Sequence, residues 1–402
     1  MRWLSTVLGN VLTLEYGKAL PRSLRNENGN FPVSGSNGED GRHDIYLVNG
    51  PGIVVGRKGS AGKVTWFDSD FWPIDTTYFI RHNPQITNLR WLYYLLSFKR
   101  LERLNKTTGV PGLNRNDVYK DHCALPPLSE QARIVEILDE ADRLRRLRRE
   151  ADAKAARILP ALFLKMFGDP GTNPRRWPLR ELKEFTKPVS RRNPTLQPNQ
   201  PFCYLDIAGI DGNQGLVVES RQILGREAPS RARQEIKWRD VVVSTVRPYL
   251  RATALIPHSL DGEIASTGFC VLRSRTGFGY GWLYALTRKM WFTEQLNIRA
   301  RGASYPAVTD ADIFNLIVPL PNDENLLRAF DITISEIEIL RQQISSASNS
   351  IERLFSLLLE YAFSGQLTAK WHEAHNKELL AEMEQQARLL NLPLPKELET
   401  TP

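Results

Sequence analysis

Leu125-Pro126-Pro127-Leu128-Ser129-Glu130-Gln131 decides how this chain is read. Two consecutive prolines stop any helix before them, because proline lacks a backbone N–H and its ring crowds the preceding turn. The residues after the prolines read as the start of a helix. Ser129 is a candidate N-cap, and Glu130 puts a carboxylate in the first turn, where the helix dipole favours it. Ile134, Ile137, Ala141, Leu144, Leu147, Ala151, Ala155, Ile158 and Leu162 then recur every three or four residues, the spacing of one helical face. The run ends near Gly168-Asp169-Pro170, and Pro160 is expected to kink it.

A second run has the same character. It goes from Asp323 through Phe330, Ile334, Ile337, Leu340, Ile344, Ala347, Ile351, Leu354, Leu358 and Tyr361 to Gly365. Both seams keep a nearly heptad spacing, and a stripe of that length needs a partner. The two helices are expected to cover each other, parallel or antiparallel. The alternative is that each lies on its own domain. A helix of about 36 residues is roughly 54 Å long, comparable to roughly 15 base pairs of duplex DNA.

The segments around these helices repeat. Trp3…Leu8 answers Trp177…Leu182, and Ile53-Val54-Val55 answers Val241-Val242-Val243. Trp91–Leu95 answers Trp282–Leu286, Asp117-Val118 answers Asp312-Ile313, and Leu125-Pro126 answers Leu320-Pro321. The interval between partners widens steadily and never reverses, as two diverged copies with insertions require. Ile45–Val48, Gly52–Val55, Lys63–Phe67, Val241–Thr245 and Gly268–Leu272 read as strands. Trp91–Phe98 and Gly281–Thr287 read as helices packed on them. The expected fold is α+β, with two tandem mixed domains separated by two long helices forming a coiled-coil-like pair. The segments are 1–128, 129–169, 170–322, 323–365 and a helical tail, 366–402.

Lys plus Arg number 53 against 45 Asp plus Glu, a net charge of +8. That suits a polyanionic partner without requiring one. Cys123, Cys203 and Cys270 lie far apart and form no CxxC pair, which argues against a disulfide framework or zinc cluster. The chain starts without the apolar stretch of a secretory leader. No apolar run reaches the length of a membrane span. A cytoplasmic setting without membrane contact is expected.

Several loops are candidate DNA contacts. Gly56-Arg57-Lys58-Gly59-Ser60-Ala61-Gly62-Lys63 is a basic, glycine-rich turn between strands, in which backbone N–H groups and Arg57, Lys58, Gly59, Ser60 and Lys63 can approach phosphate. It fails the spacing of a Walker A loop and equally suits a solvated hairpin tip. Its counterpart is Ser244–Arg251, where Arg247 and Arg251 suit a guanine edge or a phosphate and Tyr249 suits stacking. Lys106–Asn114 and Arg299–Ala307 form a second matching pair of loops. They contribute Lys106, Asn114, Arg299, Arg301, Ser304 and Tyr305. Lys18, with Arg22 and Arg25, forms a basic patch near the start.

No (Asn/Asp)-Pro-Pro-(Tyr/Phe) motif of an amino-methyltransferase is present. His372-Glu373-Ala374-His375 lacks the HExxH spacing that puts two histidines on one helix face, and reads as part of a polar tail. These absences assign chemistry to other chains. A self-sufficient DNA-modifying enzyme and a helical interaction scaffold remain the competing readings.

Taken together, the residues resemble the specificity subunit of a type I restriction–modification system. The marks are Phe31–Gly38, the Gly56–Gly62 loop, Leu125–Gln131 followed by Ile134-Val135, and the tail Ala362–Trp371. The second copy departs at Leu320-Pro321-Asn322-Asp323-Glu324-Asn325, which lacks the Glu-Gln pair. The resemblance implies two target recognition domains, each reading one half of a split, asymmetric site in double-stranded DNA. It implies a non-catalytic chain whose helices act as a spacer and as the dock for two methyltransferase subunits. A motor–nuclease subunit joins them for restriction. No cofactor belongs to this chain on that reading; S-adenosylmethionine, ATP and Mg²⁺ belong to the partners.

Overall fold

The computed structural model describes residues 3–105 and 112–393. Two compact units emerge. One joins Met1–Arg148 to Ser348–Pro402; the other is Arg149–Ala347.

The first unit is organised by a four-stranded antiparallel sheet in the order Leu12–Tyr16, Thr77–His82, Gly52–Gly56, Val64–Phe67. Side chains alternate across a strand, so Ile53 and Val55 face one way and Val54 the other. Ile53 and Val55 pack with Trp91, Leu92, Leu95 and Leu96 of the helix Leu89–Lys99. Val54 joins Val48, Phe67, Phe71 and Phe79 behind the sheet. The helix begins where Asn88 accepts hydrogen bonds from the amides of Arg90 and Trp91, satisfying donors that have no partner inside a helix. A short ladder pairs Leu4–Val7 with His122–Leu125.

The second unit repeats this plan. Its sheet runs Thr186–Lys187, Phe269–Ser274, Val241–Ser244, Thr253–Leu255, and Val241 and Val243 pack on the helix Tyr280–Thr287. Leu179–Glu181 pairs with Ile317–Pro319, as Leu4–Val7 does with His122–Leu125. A second sheet, in the order Arg221–Leu224, Pro201–Leu205, Ile264–Ser266, Ala232–Glu235, answers the smaller sheet Gly38–His43, Phe31–Gly35, Trp72–Pro73 of the first unit, each with one antiparallel and one parallel pairing of its second-named strand.

The long helices are Leu128–Ala155 and Glu324–Phe363. Several details differ from the sequence reading. The first turn begins at Pro127, whose carbonyl accepts the Gln131 amide at 2.8 Å. Ser129 therefore lies inside the helix rather than capping it, and its own amide donates to Glu382. The expected kink at Pro160 is a break slightly earlier. The helix stops at Ala155, and a new one, Ile158–Phe167, starts so that Pro160 falls in its first turn, where a missing N–H costs nothing. Ile45–Val48 forms no strand; Ile45 and Tyr46 are exposed and only Val48 bridges to Phe71.

The seams are shorter than their periodicity suggests. In the first unit Ile134 and Leu138 are buried with Phe355 and Ala362, flanked by Leu358 and Leu359. Leu144, Leu147, Leu354 and Tyr361 are exposed. Arg145 bonds to Glu352 at 2.6 Å and stacks on Phe355, whereas Glu130, fifteen residues earlier, meets Thr368. The two segments are thus antiparallel here. In the second unit Phe163 and Phe167 pack on Phe330, close to Leu327 and Ile334. Each long helix lies on a domain and on a partner helix, so the two expectations hold together.

His372 corrects the reading of a polar tail. It is buried, and its Nδ1 lies 2.8 Å from Glu130 Oε2. Trp3 Nε1 and Thr368 Oγ1 donate to the same carboxylate at 2.9 and 2.6 Å. A buried carboxylate requires such donors, and here the tail supplies two of the three. Further on, Leu379, Met383 and Ala387 of the helix Asn376–Leu390 are fully buried.

Candidate nucleic-acid interface

The two loops matched by sequence meet in both copies. In the first unit the hairpin between Gly52–Gly56 and Val64–Phe67 touches the segment before the helix Arg115–Tyr119. The Leu113 amide donates to Arg57 O at 2.9 Å, and Lys58 bridges to Gly112. In the second unit the Arg247 amide donates to Pro306 O at 2.7 Å, and the Val308 amide to Thr245 O at 2.8 Å. The same corner is built twice from different residues.

The glycine-rich turn is not an open cradle of amides. Arg57 and Lys58 donate their amides to Thr76 O, Ala61 to Gly59 O, Gly62 to Gly56 O and Lys63 to Ser60 O. Gly56 and Gly62 are needed because a Cβ would collide with Ser60 O and with the backbone of Leu101 and Glu102. Their smallness therefore serves internal packing. Gly59, at φ +77, and Ser60 form the exposed tip.

The candidate side chains divide accordingly. Lys58 is exposed, while Lys63 Nζ is held by the Asn37 carbonyl and side chain at 2.8 and 2.7 Å. Arg57 donates Nε and Nη2 to Asp75 O at 3.1 and 2.7 Å. Lys18 is exposed beside Trp72, whose indole donates to the Lys18 carbonyl. Asn114 caps the helix Arg115–Tyr119 by accepting the Asn116 amide. Lys106 lies outside the described residues.

In the second unit Arg247 and Arg251 have φ of 49° and 55°, a left-handed conformation that costs a residue bearing a Cβ and is concentrated at functional sites. Arg247 stacks on Tyr305, 4.5 Å from the ring centroid. Tyr249 and Tyr305 are 50% and 69% exposed, so neither is a core residue. Arg251 donates to Arg288 O at 2.5 Å, Arg299 folds back on Gln295, and Arg301 pairs with Asp312 at 3.6 Å. Ser304 is exposed beside Tyr305.

Tyr16, Arg115 and Arg288 escaped sequence reasoning. Tyr16 ends its strand half exposed, with the guanidiniums of Arg57 and Arg115 each 5.3 Å from its ring centroid. Its ring also packs on Tyr78, whose hydroxyl burial pushes up to about 12. Arg288 donates to Gly212 O and Asn213 O, and burial lowers its pKa. None of the three belongs to a charge cluster or a glycine-rich turn, so no local pattern marks them.

Residues 2–154 match the family described as the type I restriction modification DNA specificity domain. A full-length relative is the type I restriction enzyme EcoDI specificity subunit of Escherichia coli. It is 22% identical over 433 aligned residues, covering 96% of this chain and 94% of the relative. This chain is similar to type I restriction–modification specificity subunits. The S subunit from M. genitalium has the same fold, with a TM-score of 0.59 at 16% identity over 90% of this chain and 96% of that one. The HsdS subunit from Thermoanaerobacter tengcongensis shares 40% identity over 45% of this chain and 48% of its own, with a TM-score of 0.37.

Among the described residues no helix is long and apolar enough to cross a membrane. Nor does any group of three or more His, Cys, Asp or Glu there form a metal site.

Proposed function

We propose that this chain is the DNA-recognition subunit of a restriction–modification complex, with each unit's corner reading one short block of a split, asymmetric duplex site. The observation that carries the reading is the repetition of one corner in two domains, the first of which matches the DNA specificity family. Two weak readers on one chain reinforce each other, because the second contact becomes intramolecular. On this reading residues 1–128 and 170–322 are the recognition domains. Residues 129–169 and 323–365 are the spacer helices, and 366–402 is the tail.

The catalytic work then falls to partners: two methyltransferase subunits using S-adenosylmethionine, and a motor–nuclease using ATP and Mg²⁺. Two features support protein docking on the helices. Leu354, Leu357 and Tyr361 form an exposed apolar stripe at helical spacing. An open groove of about 1480 Å³ in the first unit is walled by Arg133, Glu136, Asp139, Glu140, Arg143 and Arg146. That balance of charge suits a protein better than a polyanion.

Comparing methylated bases genome-wide in cells with and without this chain tests the proposal. A split motif that vanishes with the chain is expected; a motif that persists without it overturns the reading.

A further inference from the structure

The guanidiniums of Arg57 and Arg115 both lie against the ring of Tyr16. Neither guanidinium has an ion-pair partner among the described residues. Other arginines of this unit behave differently: Arg22 and Arg25 pair with Asp40, and Arg103 with Asp121. Two cations brought over one half-exposed ring repel each other, and the ring's π face offsets only part of that cost. An anion between them completes the arrangement.

The geometry also says what kind of anion. Arg57 has spent Nε and Nη2 on Asp75 O. That side-on contact ties the guanidinium to the backbone and leaves two N–H on Nη1 and one on Nη2 facing outward. With a second guanidinium on the same ring, the pooled positive charge favours a phosphate over a neutral base edge. Tyr16 is fixed by its packing on Tyr78 at 5.1 Å, and Tyr78 in turn donates to Leu113 O at 3.2 Å. The ring is therefore a rigid floor. Its hydroxyl is a donor suited to a phosphate oxygen.

We propose that Tyr16, Arg57 and Arg115 form a backbone-phosphate clamp that sets the position of the duplex on the first unit without reading its bases. The clamp rests on the DNA-recognition reading above and divides its labour. Base discrimination is left to other side chains of the corner, such as the exposed Lys58. The second unit carries an analogous pair, Arg247 on Tyr305, with its tyrosine drawn from a loop instead of a strand. The clamp chemistry thus recurs where the sequence does not.

The test uses the full chain with its methyltransferase partner. Binding is measured by fluorescence anisotropy across a sodium chloride series, on one duplex bearing the methylated motif and one with the motif scrambled. Arg57→Gln and Arg115→Gln are each expected to weaken both duplexes by the same factor. Each should lower the salt slope by about one and leave the genomic methylation motif unchanged. Tyr16→Phe should retain the stack and most of the affinity, and melting curves of all variants monitor folding. Unchanged affinity and slope in both arginine variants overturn the clamp. So does a changed first block of the motif, which makes these residues base readers. If the wild-type protein binds both duplexes equally, the specificity reading fails, while a lowered slope in the variants still supports the clamp.

Discussion

His372 Nδ1 sits 2.8 Å from Glu130 Oε2, although 242 residues separate them. With Trp3 and Thr368 on the same carboxylate, the junction after Pro126-Pro127 is a knot tying the start of the chain, the first long helix and the tail. Removing the carboxylate leaves these three donors without their acceptor. Glu130→Ala is expected to cost about 2–4 kcal/mol, read as a lower urea midpoint. An unchanged midpoint would show that the knot contributes nothing.

The tail helix should matter to one unit only. Gln386 Nε2 donates to Ile86 O and Pro126 O at 2.8 and 3.2 Å, the same two carbonyls that Gln131 engages. A chain ending at Ala374 loses these bonds and the burial of Leu379, Met383 and Ala387. Hydrogen exchange should then speed up in the Leu89–Lys99 helix and stay unchanged in Tyr280–Thr287. Equal acceleration in both would contradict the division into units.

Asp331 plays in the second unit the part that Gln131 plays in the first. Its carboxylate accepts the amides of Gly279 and Gly281 at 2.5 and 2.8 Å, at the start of the Tyr280–Thr287 helix, while Gln131 accepts the Asn88 amide at 2.7 Å. Asp331→Ala should cost about 1–3 kcal/mol and show first as fast exchange at the start of that helix. Protection equal to wild type would rule the cap out.

The cysteines should be inert in the folded chain. Burial pushes the Cys123 thiol up to about 12 and raises Cys270 well above its ordinary value. The thiolate is the reactive form, so at pH 8 neither should react quickly with a disulfide reagent. Cys203, more open but also raised by burial, is the slow exception. All three should titrate after denaturation. Two or more fast thiols in the native protein would contradict the packing described.

Much of the architecture was legible because it rests on local rules. The proline stop, the helical periodicity, the strands at Gly52–Val55 and Val241–Ser244 and the order of the repeats depend on neighbours in the chain. Periodicity reveals which face is apolar but not what covers it. Leu144 and Leu147 therefore belong to the predicted stripe yet stand open, while Phe355 and Leu359 carry the actual contact. His372 was misread because its partner lies at the other end of the sequence. In the corners, loop pairing could be inferred from the repeat. Tyr16 could not: a lone tyrosine at a strand end carries no signal until Arg57 and Arg115 are brought over it.

The most direct test of the central claim exchanges residues 1–128 for the corresponding domain of another specificity subunit and maps methylated bases across the genome. One block of the split motif should change, with the other block retained. Change in both blocks, or in neither, would contradict the assignment of one reader to each domain.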